Sequence, residues 1–156
     1  MKSKICFCLI FLFPYTFRVP EPAPAPAARF QNQGIAGYVY RVAGNRMPSP
    51  NRKPALPQGV KTTLFIYHLT NLNQVLRRGN SPFYSSILTK KVETVESDTT
   101  GHFQLWLPPG RYSIFTKKDS LFFANRYDGQ NNISPFTVES AKTTRVEILI
   151  DYEAYY

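Results

Sequence analysis

The chain has 156 residues, enough for one ordinary domain, and its 43% hydrophobic and 19% charged content belongs to a globular protein rather than a disordered one. Aromatic side chains make up 15%, and 13 prolines stand against 8 glycines, a balance that favours strands and rigid turns and excludes an all-helical bundle. The formal charge is +9, and two histidines with two cysteines cannot furnish a His-rich or Cys-rich metal cage.

Lys2 and Lys4 precede the apolar run Ile5 to Phe13, which Pro14 closes. This is the charged start and apolar core of a secretory signal, too short to span a bilayer. Cys6 and Cys8 both lie inside it, so a processed body carries no thiol, and neither cysteine has a long enough apolar stretch before it for lipidation. Two fates remain open. One is cleavage near Ala27 or Ala28, after the small-x-small site Ala25-Pro26-Ala27; the other is an uncut anchor, with Val19 to Ala28 (VPEPAPAPAA) as a stiff polyproline spacer. Both place residues 1–27 outside the fold, predict a periplasmic, envelope or secreted body, and offer that body membrane proximity through this segment. Removing them takes away Lys2, Lys4, Arg18 and Glu21 and leaves the body basic. Its pairs Arg52-Lys53, Arg77-Arg78, Lys90-Lys91 and Lys117-Lys118 are scattered over four segments, as a solvated surface would have them. An anionic glycan or lipid headgroup is the sharper alternative, and export argues against nucleic acid as a partner.

Gly34 to Val42 (GIAGYVYRV) predicts a first strand whose two glycines mark close approach of a neighbouring backbone. Ala43 to Gly59, with Pro48, Pro50, Pro54 and Pro57, reads as a long ordered turn. Val60 to Leu69 (VKTTLFIYHL) is the strongest β segment and predicts a central strand. Thr70 to Ser86 is an excursion: Leu72, Val75 and Leu76 have helical spacing, and Gly79-Asn80-Ser81-Pro82 stops any helix early. Ile87 to Glu96 is a strand, and Ser97 to Gly101 a tight hairpin turn into His102 to Leu107. Pro108-Pro109-Gly110 then turns the chain into Arg111 to Lys117. Ser120 to Ala124 reads as an edge strand, Tyr127 to Ser134 as a loop, and Phe136 to Val138 with Thr143 to Ile150 as the closing pair. In the last strand Val146, Ile148 and Ile150 alternate with Arg145, Glu147 and Leu149, so one face is buried and the other mostly wet. Tyr152, Tyr155 and Tyr156 continue beyond it, either packing on the domain edge or protruding. Short strands joined by such turns predict an antiparallel sandwich.

Three pieces in order resemble the carboxypeptidase regulatory-like domain: Gly34-Ile-Ala-Gly-Tyr-Val-Tyr, Gly59-Val-Lys-Thr-Thr-Leu-Phe-Ile-Tyr, and the run from Ser97-Asp-Thr-Thr-Gly through Pro108-Pro-Gly-Arg-Tyr-Ser-Ile114. The resemblance covers residues 34 to 118, and the tail is similar to small secreted or envelope versions of Bacteroidetes type. It implies an all-β, antiparallel Greek-key sandwich of about seven strands, transthyretin-like, over residues 34–152. It also implies an accessory, adhesive or scaffold module without catalytic residues of its own. Within the most specific piece, Asp98 can bond its own turn backbone and Gly101 can supply a positive φ. Phe103, Leu105 and Leu107 fall on one face, with His102, Gln104 and Trp106 on the other. Gly110 is expected to let the backbone reverse, so that Tyr112 buries its ring and bonds loop backbone through its hydroxyl.

With Leu64 and Ile66 inward, Phe65, Tyr67, Trp106 and Phe115 are expected to form an outer aromatic face. Either Thr70 to Ser86 or Leu121 to Pro135 covers it as a lid, or it is a platform for a partner protein or sugar ring, with Trp106 foremost. Enzymatic readings find little. His68 and His102 lack a nucleophile motif, no His-Glu-x-x-His occurs, and the end Asp151-Tyr-Glu-Ala-Tyr-Tyr156 lacks the Tyr-Arg-Gly-Ser of hydroxyisourate hydrolases, which share the transthyretin-like fold. The Lys–Asn crosslink of similar pilin sandwiches lacks its lysine in the first strand and its asparagine in the last. Asp128-Gly129-Gln130-Asn131-Asn132 lacks the spaced acidic ligands of a calcium loop. No cofactor or metal is expected. The sequence thus predicts a non-catalytic exported module that binds or spaces an envelope protein or polysaccharide. A structural domain pairing through a sheet edge is the alternative, and an unrecognised hydrolase the remaining one.

Overall fold

The smaller of two facing sheets is built around β1 (Gly34–Asn45), with β2 (Gln58–Gly59) and β7 (His102–Leu105) on one side and β11 (Thr143–Tyr155) on the other. The larger sheet contains β3 (Thr63–His68), β4 (Val75–Arg77), β5 (Phe83–Ile87), β6 (Lys91–Glu96), β8 (Gly110–Lys118), β9 (Leu121–Phe123) and β10 (Pro135–Val138). These assignments come from a computed structural model that describes residues 32–47 and 56–156. The proposed leader and spacer, and Pro48, Pro50 and Pro54 of the proposed long turn, lie outside the described residues. The chain is therefore an all-β protein of two mostly antiparallel sheets, in the manner of a sandwich, with eleven strands among the described residues where about seven were expected.

Alternation determines which side chains fill the space between the sheets. Ile35 and Val39 of β1, Leu64 and Ile66 of β3, Phe103 of β7 and Ile114 of β8 meet there with Phe136, Val138 and Ile150. In β1 a register shift between Arg41 and Ala43 flips the alternation, which is why even-numbered Val42 is buried after odd-numbered Ile35 and Val39. The same strand runs on through Asn45, three residues into the segment expected to turn.

Four expectations change. β1 and β11 pair in parallel, Gly34 opposite Thr143 and Tyr38 opposite Glu147, in an otherwise antiparallel fold. Ser97 to Gly101 is not a hairpin turn, because β6 and β7 belong to different sheets; the turn carries the chain across the sandwich. β9 is not an edge strand but lies between β5 and β8. Thr70 to Ser86, expected as an excursion from the sandwich, joins the larger sheet: after one 3-10 turn at Leu72–Gln74, capped by Asn71 and Gln74, it enters β4 and then β5.

That excursion produces a second core. β8 pairs with β10 through its first half and with β9 through its last three residues, and β5 and β4 continue from β9. The larger sheet thereby curls over the outer side of its own β3 and β8. Tyr67 and Phe115 pack there with Val75, Tyr84, Ala124 and Ile133. The driving force is removal of an aromatic patch from water.

Candidate functional site

The residues expected to form one outer aromatic face are divided between two places. Phe115 is 0% exposed and Tyr67 8%, their rings edge-on at 5.6 Å, and burial raises the Tyr67 phenol above its ordinary range. Phe65 is half-buried, edge-on to Phe122 at 5.6 Å, with the Lys117 ammonium 4.9 Å from its ring centroid. These three belong to the second core or its margin, so the aromatic platform is replaced by a covered face. Trp106 is 39% exposed, but it directly follows β7 and so lies at the end of the other sheet.

The four residues given structural roles are engaged as follows. Asp98 Oδ1 accepts from the Thr100 amide at 2.8 Å, the Thr100 hydroxyl at 2.7 Å and the His102 amide at 2.9 Å. The Thr100 hydroxyl bond leads in holding its carboxyl below the usual range, and the two amides add to it. Gly101 has φ 85°, and a Cβ there would stand 2.2 Å from the Val39 carbonyl oxygen. Tyr112 is buried and donates to the Pro108 carbonyl at 2.9 Å, its ring stacked near Phe136 and His68. Gly110 does not use the left-handed region: its role is room, because a Cβ there would press the Tyr112 ring and hydroxyl at 3.1–3.3 Å.

The solvent face of the smaller sheet brings together groups that sequence alone did not single out. Across three strands the register sets His102, Tyr38 and Glu147 in one row and Gln104, Ala36 and Arg145 in the next. β1 is the middle strand and contributes only a methyl group at Ala36 and no side chain at Gly37. The Gly37 backbone runs so close to β11 that a Cβ would fall 1.7 Å from the Val146 carbonyl oxygen. A shallow depression of about 490 Å³ results, floored by Ala36, Gly37 and Val146, with Tyr38 and His102 on one side and Arg145 and Glu147 on the other. Tyr38 is 44% exposed, edge-on to His102 at 5.3 Å and stacked on Tyr40 at 5.9 Å. Among the described residues, the side chains of Arg145 and Glu147 make neither an ion pair nor a hydrogen bond. Trp106 is not among the residues lining the depression.

His68 is exposed and stacked on Tyr112 at 6.0 Å, while His102 lies against Tyr38. In the loop considered for calcium, Asp128 accepts from the amides of Gln130 and Asn132 and from Asn132 Nδ2, with Arg111 3.7 Å away. Its carboxylate is thus occupied by its own turn, and the Asn132 side-chain bond leads the causes that hold it below the usual range. Compared with known protein families, with curated proteins and with solved structures, the chain finds no match.

Proposed function

We propose that this chain is an exported, non-catalytic β-sandwich module of the carboxypeptidase regulatory-like kind that binds a cell-envelope partner through the outer face of its smaller sheet. One observation carries the reading: a depression in the sheet face, walled by exposed Tyr38 with half-buried His102 beside it and by two opposite charges that have no partner of their own among the described residues. The leader-like start and the Pro-Ala stretch supply the export and the spacing. The Pro-Pro-Gly-x-Tyr element and its tyrosine hydroxyl bond support the family reading.

Pairing through a sheet edge has less support. On the outer side of β11, Arg126 donates to the Glu147 backbone carbonyl at 3.4 Å and so occupies an acceptor that an added strand would use. The outer strand β6 carries Lys91, Glu93 and Glu96, charges that discourage added strands. The test is retention of the purified full-length chain on isolated envelope polysaccharide and on envelope protein. Tyr38→Ala is expected to lose retention with its melting temperature unchanged, and Trp106→Ala is expected to retain it. Full retention by Tyr38→Ala would remove the proposed face.

A further inference from the structure

We propose that the depression takes an acidic sugar residue, its carboxylate on the Arg145 guanidinium, its hydroxyls on the Glu147 carboxylate and one face of its ring on Tyr38. The proposal rests on the outer sheet face being a contact surface, and it adds the chemistry of what is held there.

Arg145 and Glu147 are two residues apart on one face of β11, which sets them about 6.6 Å apart along the strand. They do not neutralise each other, and neither is neutralised by another described side chain. A guanidinium offers a planar fork of donors that matches a carboxylate, whereas a glutamate only accepts and requires hydroxyl or amine donors. A ligand that satisfies both must therefore carry an anionic oxygen pair and neutral donors within one ring's width.

Competing ligand chemistries each leave something unmet. A purely apolar ligand would strip water from both charges without replacing it. A phosphate would suit Arg145 but bring a second negative charge toward Glu147. An extended peptide has no free edge here, because β1 is bonded on both sides and presents only its face. A polyhydroxylated ring bearing a carboxylate meets both charges. Its flat C–H face suits Tyr38, whose ring is already braced by Tyr40 and His102 and so loses little freedom on binding. The Ala36–Gly37 floor leaves the ring room. The +9 charge of the chain favours approach of a polyanion at low salt.

The experiment is titration calorimetry of the full-length chain with tetramers of galacturonate, glucuronate and mannuronate, each beside its neutral methyl ester. At least one acid is expected to bind about tenfold or more tightly than its ester. Arg145→Gln should erase that preference, Glu147→Gln should weaken both forms, and Tyr38→Ala should weaken both further. Lys117→Gln, an exposed cation elsewhere, should change nothing beyond its salt dependence. Equal affinity for acid and ester, or an equal effect of Lys117→Gln and Arg145→Gln, would overturn the ligand assignment. Absence of all uronate binding, with envelope retention still lost in Tyr38→Ala, would overturn the ligand class and leave the face standing. Envelope retention indifferent to Tyr38 would overturn the face itself.

Discussion

Replacing Phe115 with alanine tests whether the curled sheet forms a true second core. The ring is fully buried and has three aromatic neighbours, Tyr67, Tyr84 and Phe122, with centroids at 5.6, 5.9 and 6.3 Å. Truncating a buried phenylalanine costs about 3–5 kcal/mol. Three edge-on partners place this site toward the upper end, since such pairs add about 0.5–1.5 kcal/mol each beyond area burial. For a domain of this size the loss corresponds to a fall in melting temperature of about 10–20 °C. Urea titration of the purified chain, followed by near-ultraviolet circular dichroism, should show an earlier midpoint with an unchanged slope. Phe115→Leu should recover only part of the difference, because it restores apolar volume but not the three ring pairs. A loss under about 1 kcal/mol for Phe115→Ala would mean the outer side of β3 and β8 is wet, and the covering role given to β4, β5 and β9 would be wrong.

Tyr112→Phe removes only the hydroxyl bond to Pro108 and should lower stability by about 1 kcal/mol, whereas Tyr112→Ala should cost about 3–5 kcal/mol; equal losses would show that the hydroxyl bond, not the buried ring, does all the work. Gly37→Ala should split β1 from β11 and yield little folded protein, while Gly129→Ala, with nothing within 4 Å, should behave as wild type on gel filtration and melting. Asp98 has a depressed carboxyl, so its stabilisation is present at neutral pH, above the unfolded-state value, and is lost as pH falls through the lower folded-state value. Melting curves across the acid range should therefore converge for wild type and Asp98→Asn at low pH and separate toward neutrality, and a constant gap would refute the assignment.

Much of this protein was written locally. The run Thr63 to His68 forms a strand because β-branched and aromatic residues suit a pleat, and its two-residue period put Leu64 and Ile66 inward. The Asp98–Gly101 turn and the Tyr112 hydroxyl bond follow from groups only a few residues apart, so they too were legible. Alternation says which side chains share a face, but not whether another layer will cover it. Phe115 and Tyr67 were placed on the right side of their strands and only the curl of the sheet buried them. Nor does alternation name a strand's neighbours. The sharing of one depression by Tyr38 and Glu147 depends on a parallel pairing between the first strand and the last, and that contact forms only when the whole chain has folded. For the same reason Trp106 could be seen to face outward, but the sheet it would join was decided by the crossing at Ser97 to Gly101, a choice made by packing across the sandwich rather than by the turn residues themselves.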